Sequence, residues 1–491
     1  MKDIFYSKDI TKIDEISQTL YKQPAIILME QAGLKAWLYM RDNLERDDKI
    51  VVFCGGGNNG GDALVVARCA FNDGFENIKI VYCSSKFSSS TTIQKEVVES
   101  YKIESIYFED NLDQVKSIIC DSDIIIDGIT AIGLKNKLRD NIINIVNLIN
   151  LSKATKYSID VPSGLSDTIC DISIIADYTF CMGPLKAVYY HPENIGKCNT
   201  IIEINPSFPP GVIQSFKPFA FLDDKRQLRV KPLGKTDYKK TRGHLAIFGG
   251  STKYSGAVRL SSRGAFSCRC GLVSAFCDDE IYSIVATESP SIIVNKLDSK
   301  LNLSSYNAIL AGVGWGLGRE DLLLEILSFN KPTVLDADGI RAYATLYKNN
   351  KIKVKANNKL IFTPHIGELK VLADAVLIDY SLDNTRDFFD TLNKLSLKLN
   401  ATIVCKASIT YIATPGELIT IIYNLNPSIG VAGSGDVLAG CIAAFLSYGL
   451  TTSQSAREGV IVHLNAGIMA NIELGYYSSE KLTDFIGKQL L

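Results

Sequence analysis

The sequence lacks most of the features that mark whole classes of protein. Neither charge is in excess, since 52 basic and 53 acidic side chains are mixed along 491 residues. With no basic stripe to neutralise phosphates, no nucleic-acid partner is expected. No apolar run reaches the roughly 18 residues of a membrane-crossing helix, so no membrane partner is expected either. The first fourteen residues alternate charged with apolar side chains and lack the apolar core of an export signal. Of twelve cysteines, the only close pair, Cys268 and Cys270, lacks the two-residue gap and partner ligands of a zinc site. These thiols read as small core residues in a reducing, cytoplasmic setting. No internal repeat is visible, and the single low-complexity stretch, the serine cluster at 84–90, reads as a surface loop.

What is present is an ordinary globular composition, 46% hydrophobic and 21% charged, in a chain too long for one core. In the first half, strand patterns at 49–54, 78–83, 123–127, 157–160 and 178–182 alternate with helical patterns at 61–73 and 141–151. That alternation predicts an α/β domain with a parallel sheet. The segment at 205–211, NPSFPPG, holds three prolines and a glycine where neither helix nor strand is expected to propagate. The first domain is therefore placed at 1–215 and the second at 222–491. The second half repeats the α/β grammar, with strands expected at 244–248, 272–277, 308–312, 333–335 and 359–362, a helix at 257–268, and a helical final third.

The run Gly55-Gly56-Gly57-Asn58-Asn59-Gly60-Gly61-Asp62 follows a strand and opens a helix, where backbone N–H groups and the helix dipole converge on an anion. It has neither the Walker ending nor the dinucleotide glycine spacing. A plain strand–helix turn accounts for the glycines but not for two asparagines and an aspartate. Asp127 and Asp160 each end a strand, which sets both carboxylates at the carboxyl edge of the sheet, where open α/β folds bind ligands. An aspartate there also caps turns. Asn, Asp, Ser and backbone oxygens converging at one point suit a hard cation.

In the second half, Gly433-Ser434-Gly435-Asp436 precedes an apolar helical run, placing a carboxylate beside a helix N-terminus. Phosphoryl transfer to a hydroxyl needs that pairing of anion hole and base. Further glycine-rich loops follow strands at 249–251 and 312–316, and Thr363-Pro364-His365 follows another. Lys406, at a strand exit, is placed to reach a phosphate.

Carried by GGGNNGGD, IIDGITAIG, DVPSG and GPLKA, the first half resembles the epimerase domain of the bifunctional NAD(P)H-hydrate repair enzymes. The segments GHLAIFGGSTKYSGA, AGVGWGLG, LDADGI, FTPHIGE, IVCKAS and GSGDVLAG resemble their dehydratase domain, a ribokinase-like fold. The resemblance implies two domains, a Rossmann-like one and a ribokinase-like one, and implies a homo-oligomer. It implies that Asn58, Asn59, Gly60, Gly61 and Asp62, with Ala131, Ile132, Gly133, Leu134, Lys135, Asn136 and Lys137, cradle the hydrated cofactor. It implies that Asn59, Asp127 and Ser163 hold K+, and that Asp160 is the acid/base interconverting the R and S hydrates. For the second domain it implies that Ala257, Gly314, His365 and Asp436 contact the S hydrate. Lys406, Ala407, Ser408, Ile409, Thr410 and Gly435 would contact ADP or ATP, with Mg2+ as cofactor and Asp436 as base.

The sequence departs from the family at Ala63, at Ala131-Ile132-Gly133 in place of Gly-Thr-Gly, and at Ala407. The middle change removes a glycine and a hydroxyl from the cofactor-gripping loop. A second reading stays open at this point, in which a small-molecule kinase is joined to a non-catalytic cofactor-binding domain. TPHIGE beside GSGD favours the dehydratase.

Overall fold

The computed structural model describes all residues except 110, 132–137, 288, 298–300, 354–357, 424 and 491. The chain folds into two units, Asp3–Phe219 with Ser381–Asp387, and Ala220–Tyr380 with Phe388–Leu491 and Met1–Lys2.

The first unit is built on a seven-stranded sheet in the order Glu104–Tyr107, Ile78–Tyr82, Ile50–Cys54, Ile124–Gly128, Thr155–Ile159, Ala176–Met182, Cys198–Ile204. Every pairing is parallel. The central strands IVVFC and IIIDG are buried throughout, as apolar runs with helices on both faces must be. Chain order reverses between Ile50–Cys54 and Ile124–Gly128, which opens a crevice at their carboxyl ends.

The second unit repeats that device. Its strands run Ile293–Lys296, Leu272–Cys277, His244–Gly249, Ala308–Val313, Thr333–Leu335, Leu360–Phe362, Thr402–Lys406, Thr410–Ala413, Ile419–Ile422, Ala220–Leu222. The first seven are parallel, and an antiparallel hairpin over 402–422 follows. The switch point lies between His244–Gly249 and Ala308–Val313. Helices Ser255–Ser267 and Ser434–Ser447 pack closely, since a Cβ on Gly264 would meet the Val437 carbonyl at 2.5 Å.

Three local expectations are corrected. The NPSFPPG segment does propagate a helix, Pro210–Ser215, because a proline at its first position has no N–H to leave unpaired. The final third is not wholly helical, since the hairpin strands Thr410–Ala413 and Ile419–Ile422 lie in it. The serine cluster is only partly loop. Ser88 caps the helix Ser89–Ser100 by accepting from the Thr91 N–H, and Ser90 is buried in its first turn. Among the described residues no helix is long and apolar enough to cross a membrane. Ten of the twelve cysteines are buried thiols, as small core residues should be.

Candidate active sites

In the first unit the helix Asn58–Asn72 begins three residues earlier than the apolar spacing alone marks, so Asn58 and Asn59 sit in its first turn. Crowding fixes the local glycines, since a Cβ on Gly60 would meet the Gly55 carbonyl at 2.1 Å and one on Gly61 would run into Met29. Asn58 Oδ1 accepts from Ser88 Oγ at 2.7 Å. Asn59 Nδ2 donates to the Thr130 carbonyl at 2.8 Å, which leaves its Oδ1 buried without a partner among the described residues.

Asp127 is fully buried, and its carboxylate accepts from Ser158 Oγ, the Ser163 N–H, Ser163 Oγ and the Ile129 N–H. Burial still raises its pKa above the ordinary value, because the loss of hydration outweighs those bonds. Ser163 Oγ also accepts from the Thr130 N–H at 2.8 Å. Asn59, Asp127, Ser163 and the Thr130 backbone thus form one oxygen-rich cluster at the switch point.

Asp160 follows the strand Thr155–Ile159 with φ of +64°, a left-handed conformation that aspartate tolerates better than most side chains. Its Oδ1 accepts from the Lys186 ammonium at 2.7 Å and the Met182 N–H at 3.2 Å. Lys186 is almost fully buried and also donates to the Met182 carbonyl at 2.8 Å. Burial opposes its charge, yet the Asp160 carboxylate holds its pKa above the usual lysine value. A cavity of about 220 Å³ opens here, with Asn58, Asn59, Asp62, Ala131, Asp160 and Lys186 in its lining. Opposite elements supply Asp14, Leu28, Met29 and Phe208. Burial, with Asp160 and Asp14 as like charges, pushes the Asp62 carboxyl well up. The expected contacts at Ile132, Gly133, Leu134, Lys135, Asn136 and Lys137 lie outside the described residues.

In the second unit Gly433, at φ of +85°, caps the helix Ser434–Ser447, and Asp436 is its third residue. Burial and the like charge of Asp336 push the Asp436 carboxyl up to about 7, while Lys406 pulls it down. Lys406 donates to Asp336 Oδ1 at 2.7 Å, and Thr363 Oγ1 donates to the same oxygen at 2.6 Å. A Cβ on Gly435 would stand 3.6 Å from Lys406 Nζ, so the ammonium hangs over the helix N-terminus. Beside them a cavity of about 260 Å³ is lined by Lys406, Ala407, Ser408, Ile409, Thr410 and Gly435, closed from behind by Leu438 and His463. His463 is buried against Ser434, and burial lowers its pKa to about 4, so it is neutral.

The remaining expected residues fall outside that cavity. Gly314, at φ of +58°, lies against Ala257, since a Cβ on it would meet the Ala257 Cβ at 2.7 Å. His365 caps the helix Ile366–Ala375, its Nδ1 accepting from the Gly367 N–H while Glu368 accepts from the His365 N–H. Its backbone bridges in parallel to Lys406. Gly314, His365 and Lys406 sit at carboxyl ends of strands in the same sheet, and Ala257 lies in the first turn of the helix Ser255–Ser267.

The family model described as YjeF-related protein N-terminus matches residues 25–188, and the one described as NAD(P)H-hydrate dehydratase matches 245–488. A bifunctional NAD(P)H-hydrate repair enzyme from Synechocystis is 27% identical over 94% of this chain and 90% of its own. One of the same description from Thermofilum pendens is 28% identical over 98% and 95%. The chain belongs to the bifunctional NAD(P)H-hydrate repair family. A ribokinase-like superfamily protein of Enterococcus faecalis, 21% identical, superposes with a TM-score of 0.49 over 56% of this chain and 96% of its own.

Against that family background, sequence reasoning passed over Lys186, Ser88 and Asp336. Lys186 and Asp336 stand inside the recognised segments GPLKA and LDADGI, so the signal was present without a role attached. Asp336 also precedes Ala337, whose φ of +48° marks strain at the strand exit. Ser88 had only the cue of a serine ahead of a helical pattern.

Proposed function

We infer that residues 1–215 interconvert the R and S forms of NAD(P)H-hydrate, and that residues 222–491 dehydrate the S form with the terminal phosphate of ADP, giving NAD(P)H, AMP and phosphate. The observation that carries the dehydratase reading is Asp436, a carboxyl with pKa of about 7 on a helix N-terminus next to Lys406 and a cleft of about 260 Å³. A base with that pKa takes the proton of the ring hydroxyl as it attacks phosphorus. The helix amides and Lys406 stabilise charge on the phosphoryl oxygens. Loss of phosphate from the resulting ester, with a proton leaving the adjacent ring carbon, restores the ring double bond. Mg2+ would ride on the nucleotide phosphates. Asp336 and Glu368 both act on Lys406 electrostatically and would supply the one or two carboxylates such an ion uses.

In the epimerase cavity Asp160 acts as the acid/base, while Asn58, Asn59 and Asp62 orient the substrate. The unpartnered Asn59 Oδ1, with Asp127, Ser163 and the Thr130 carbonyl nearby, supports K+ as the ion of the oxygen-rich cluster. That ion would fix the loop carrying Thr130 and Ala131 against the helix start. The protein works in the cytoplasm as a homo-oligomer.

The test mixes the purified chain with both hydrate epimers, Mg2+, K+ and either ADP or ATP, and follows absorbance of the restored dihydronicotinamide. Full conversion with ADP is expected. Conversion that stalls once the S form is spent removes the epimerase assignment. No dihydronicotinamide with either nucleotide removes the dehydratase assignment in favour of a released phosphorylated product.

A further inference from the structure

Asp14 stands outside the residues matched by either family model and outside every motif singled out in the sequence. The helix Ser7–Thr19 nevertheless carries its carboxyl into the lining of the Asp160 cavity. The two aspartates reach that cavity from different elements, Asp14 from this helix and Asp160 from the exit of the strand Thr155–Ile159. Their surroundings differ in kind. Asp160 is ion-paired with a buried ammonium, whereas the bond that Asp14 accepts is neutral, from Gln18 Nε2 at 2.7 Å. Among the described residues, the other charged groups facing the cavity are Asp62, from the helix Asn58–Asn72, and Lys186.

The chemistry of the substrate asks for such a pair. Hydration of an enamine sets the hydroxyl on the carbon bonded to the ring nitrogen, and inverting that carbon exchanges its two faces. Epimerisation therefore needs a proton delivered on one face and another removed on the opposite face.

Resting on the epimerase reading of this cavity, we propose that Asp14 is the second acid/base of epimerisation, acting on the substrate face opposite Asp160. The nitrogen lone pair forms the C=N bond as the C–O bond breaks, and the departing hydroxyl takes the Asp14 proton and leaves as water. Water then adds through its oxygen to the other face, the C=N pair returns to nitrogen, and the released proton passes to the Asp160 carboxylate. No oxidant or reductant is consumed. The two carboxyls hold one proton between them before and after each turnover, and the reverse reaction uses them in exchanged roles. Burial, with the nearby Asp160 charge, raises the Asp14 pKa despite its bond from Gln18, as suits the member that carries the proton.

The test uses the full chain without nucleotide, so that only epimerisation runs, and follows R hydrate turning to S by chromatography with the spontaneous rate subtracted. Asp14→Asn is expected to lower kcat by about 10²–10⁴-fold, to leave KM within about threefold, and to reduce the bell-shaped pH profile to one limb. Asp14→Glu is expected to restore both limbs. An Asp14→Asn enzyme that keeps its rate overturns the proposal. So does one that loses kcat and KM together with both limbs intact, which is the mark of a structural role. Loss of a limb in Asp62→Asn but not in Asp14→Asn overturns it in favour of Asp62. A wild-type chain that does not epimerise at all removes the epimerase reading itself, and the proposal with it.

Discussion

At pH 7 the Asp436 carboxyl is about half ionised, because burial and the Asp336 charge penalise its anion more than Lys406 relieves it. The kcat/KM for dehydration should therefore rise with pH and level off above about 7, and Asp436→Asn should cost about 10²–10⁴-fold at the plateau. The same shift predicts a stability effect of fixed sign. A carboxyl whose pKa is raised on folding binds more protons folded than unfolded between about 4 and 7, so its ionisation destabilises the fold as pH rises through that window. Thermal unfolding should show Asp436→Asn more stable than wild type at pH 8, with the gain vanishing near pH 4. Lys406 lowers the Asp436 pKa. Lys406→Met should thus move the acid limb of dehydration above pH 7 while raising the KM for nucleotide, both read from one pH–rate series.

Among the elements, the helix starts position the chemistry. The helix Ser434–Ser447 turns its free amides toward the cleft, and Asn58–Asn72 does the same in the other unit. The latter is tied to the helix Ser89–Ser100 through Ser88, which caps that helix and holds Asn58 Oδ1. Ser88→Ala should cost about 1 kcal/mol of stability through the lost cap. It should also raise the KM for hydrate in epimerisation with little change in kcat, since Asn58 is freed and Asp160 is untouched. Denaturant titration and steady-state kinetics separate the two effects.

For the molecule as a whole, each unit places its site along the carboxyl edge of its own sheet, and buried ionic contacts hold the frame. In the second unit Arg457, on the helix Thr452–Leu474, pairs with Asp223 at 2.6 Å and with Glu458, and donates to the Gln227 carbonyl at 3.0 Å. Glu458 in turn accepts from the Arg229 N–H at 2.8 Å. This network ties the segment after the strand Ala220–Leu222 to the long helix. Arg457→Met strands two buried carboxylates and should cost about 3–5 kcal/mol, seen as a lower midpoint in thermal unfolding.

Sequence alone determined the parallel α/β class, the strand-end placement of Asp127 and Asp160, the helix-start placement of Asp436, the loop motifs and the family, because hydrophobic periodicity and glycine spacing are local properties of the chain. The family resemblance, not spacing along the chain, implied Lys406, Ala407, Ser408, Ile409, Thr410 and Gly435 as one group, and the fold lines one cavity with all six. Only the tertiary structure decided that Asp160 pairs with Lys186, that Asp336 and Lys406 tune Asp436, that Ser88 holds Asn58, and that Asp14 enters the Asp160 cavity. Those relations depend on which strand ends and helix faces meet after folding, and on how much water burial removes from each charge. No spacing along the chain encodes either quantity.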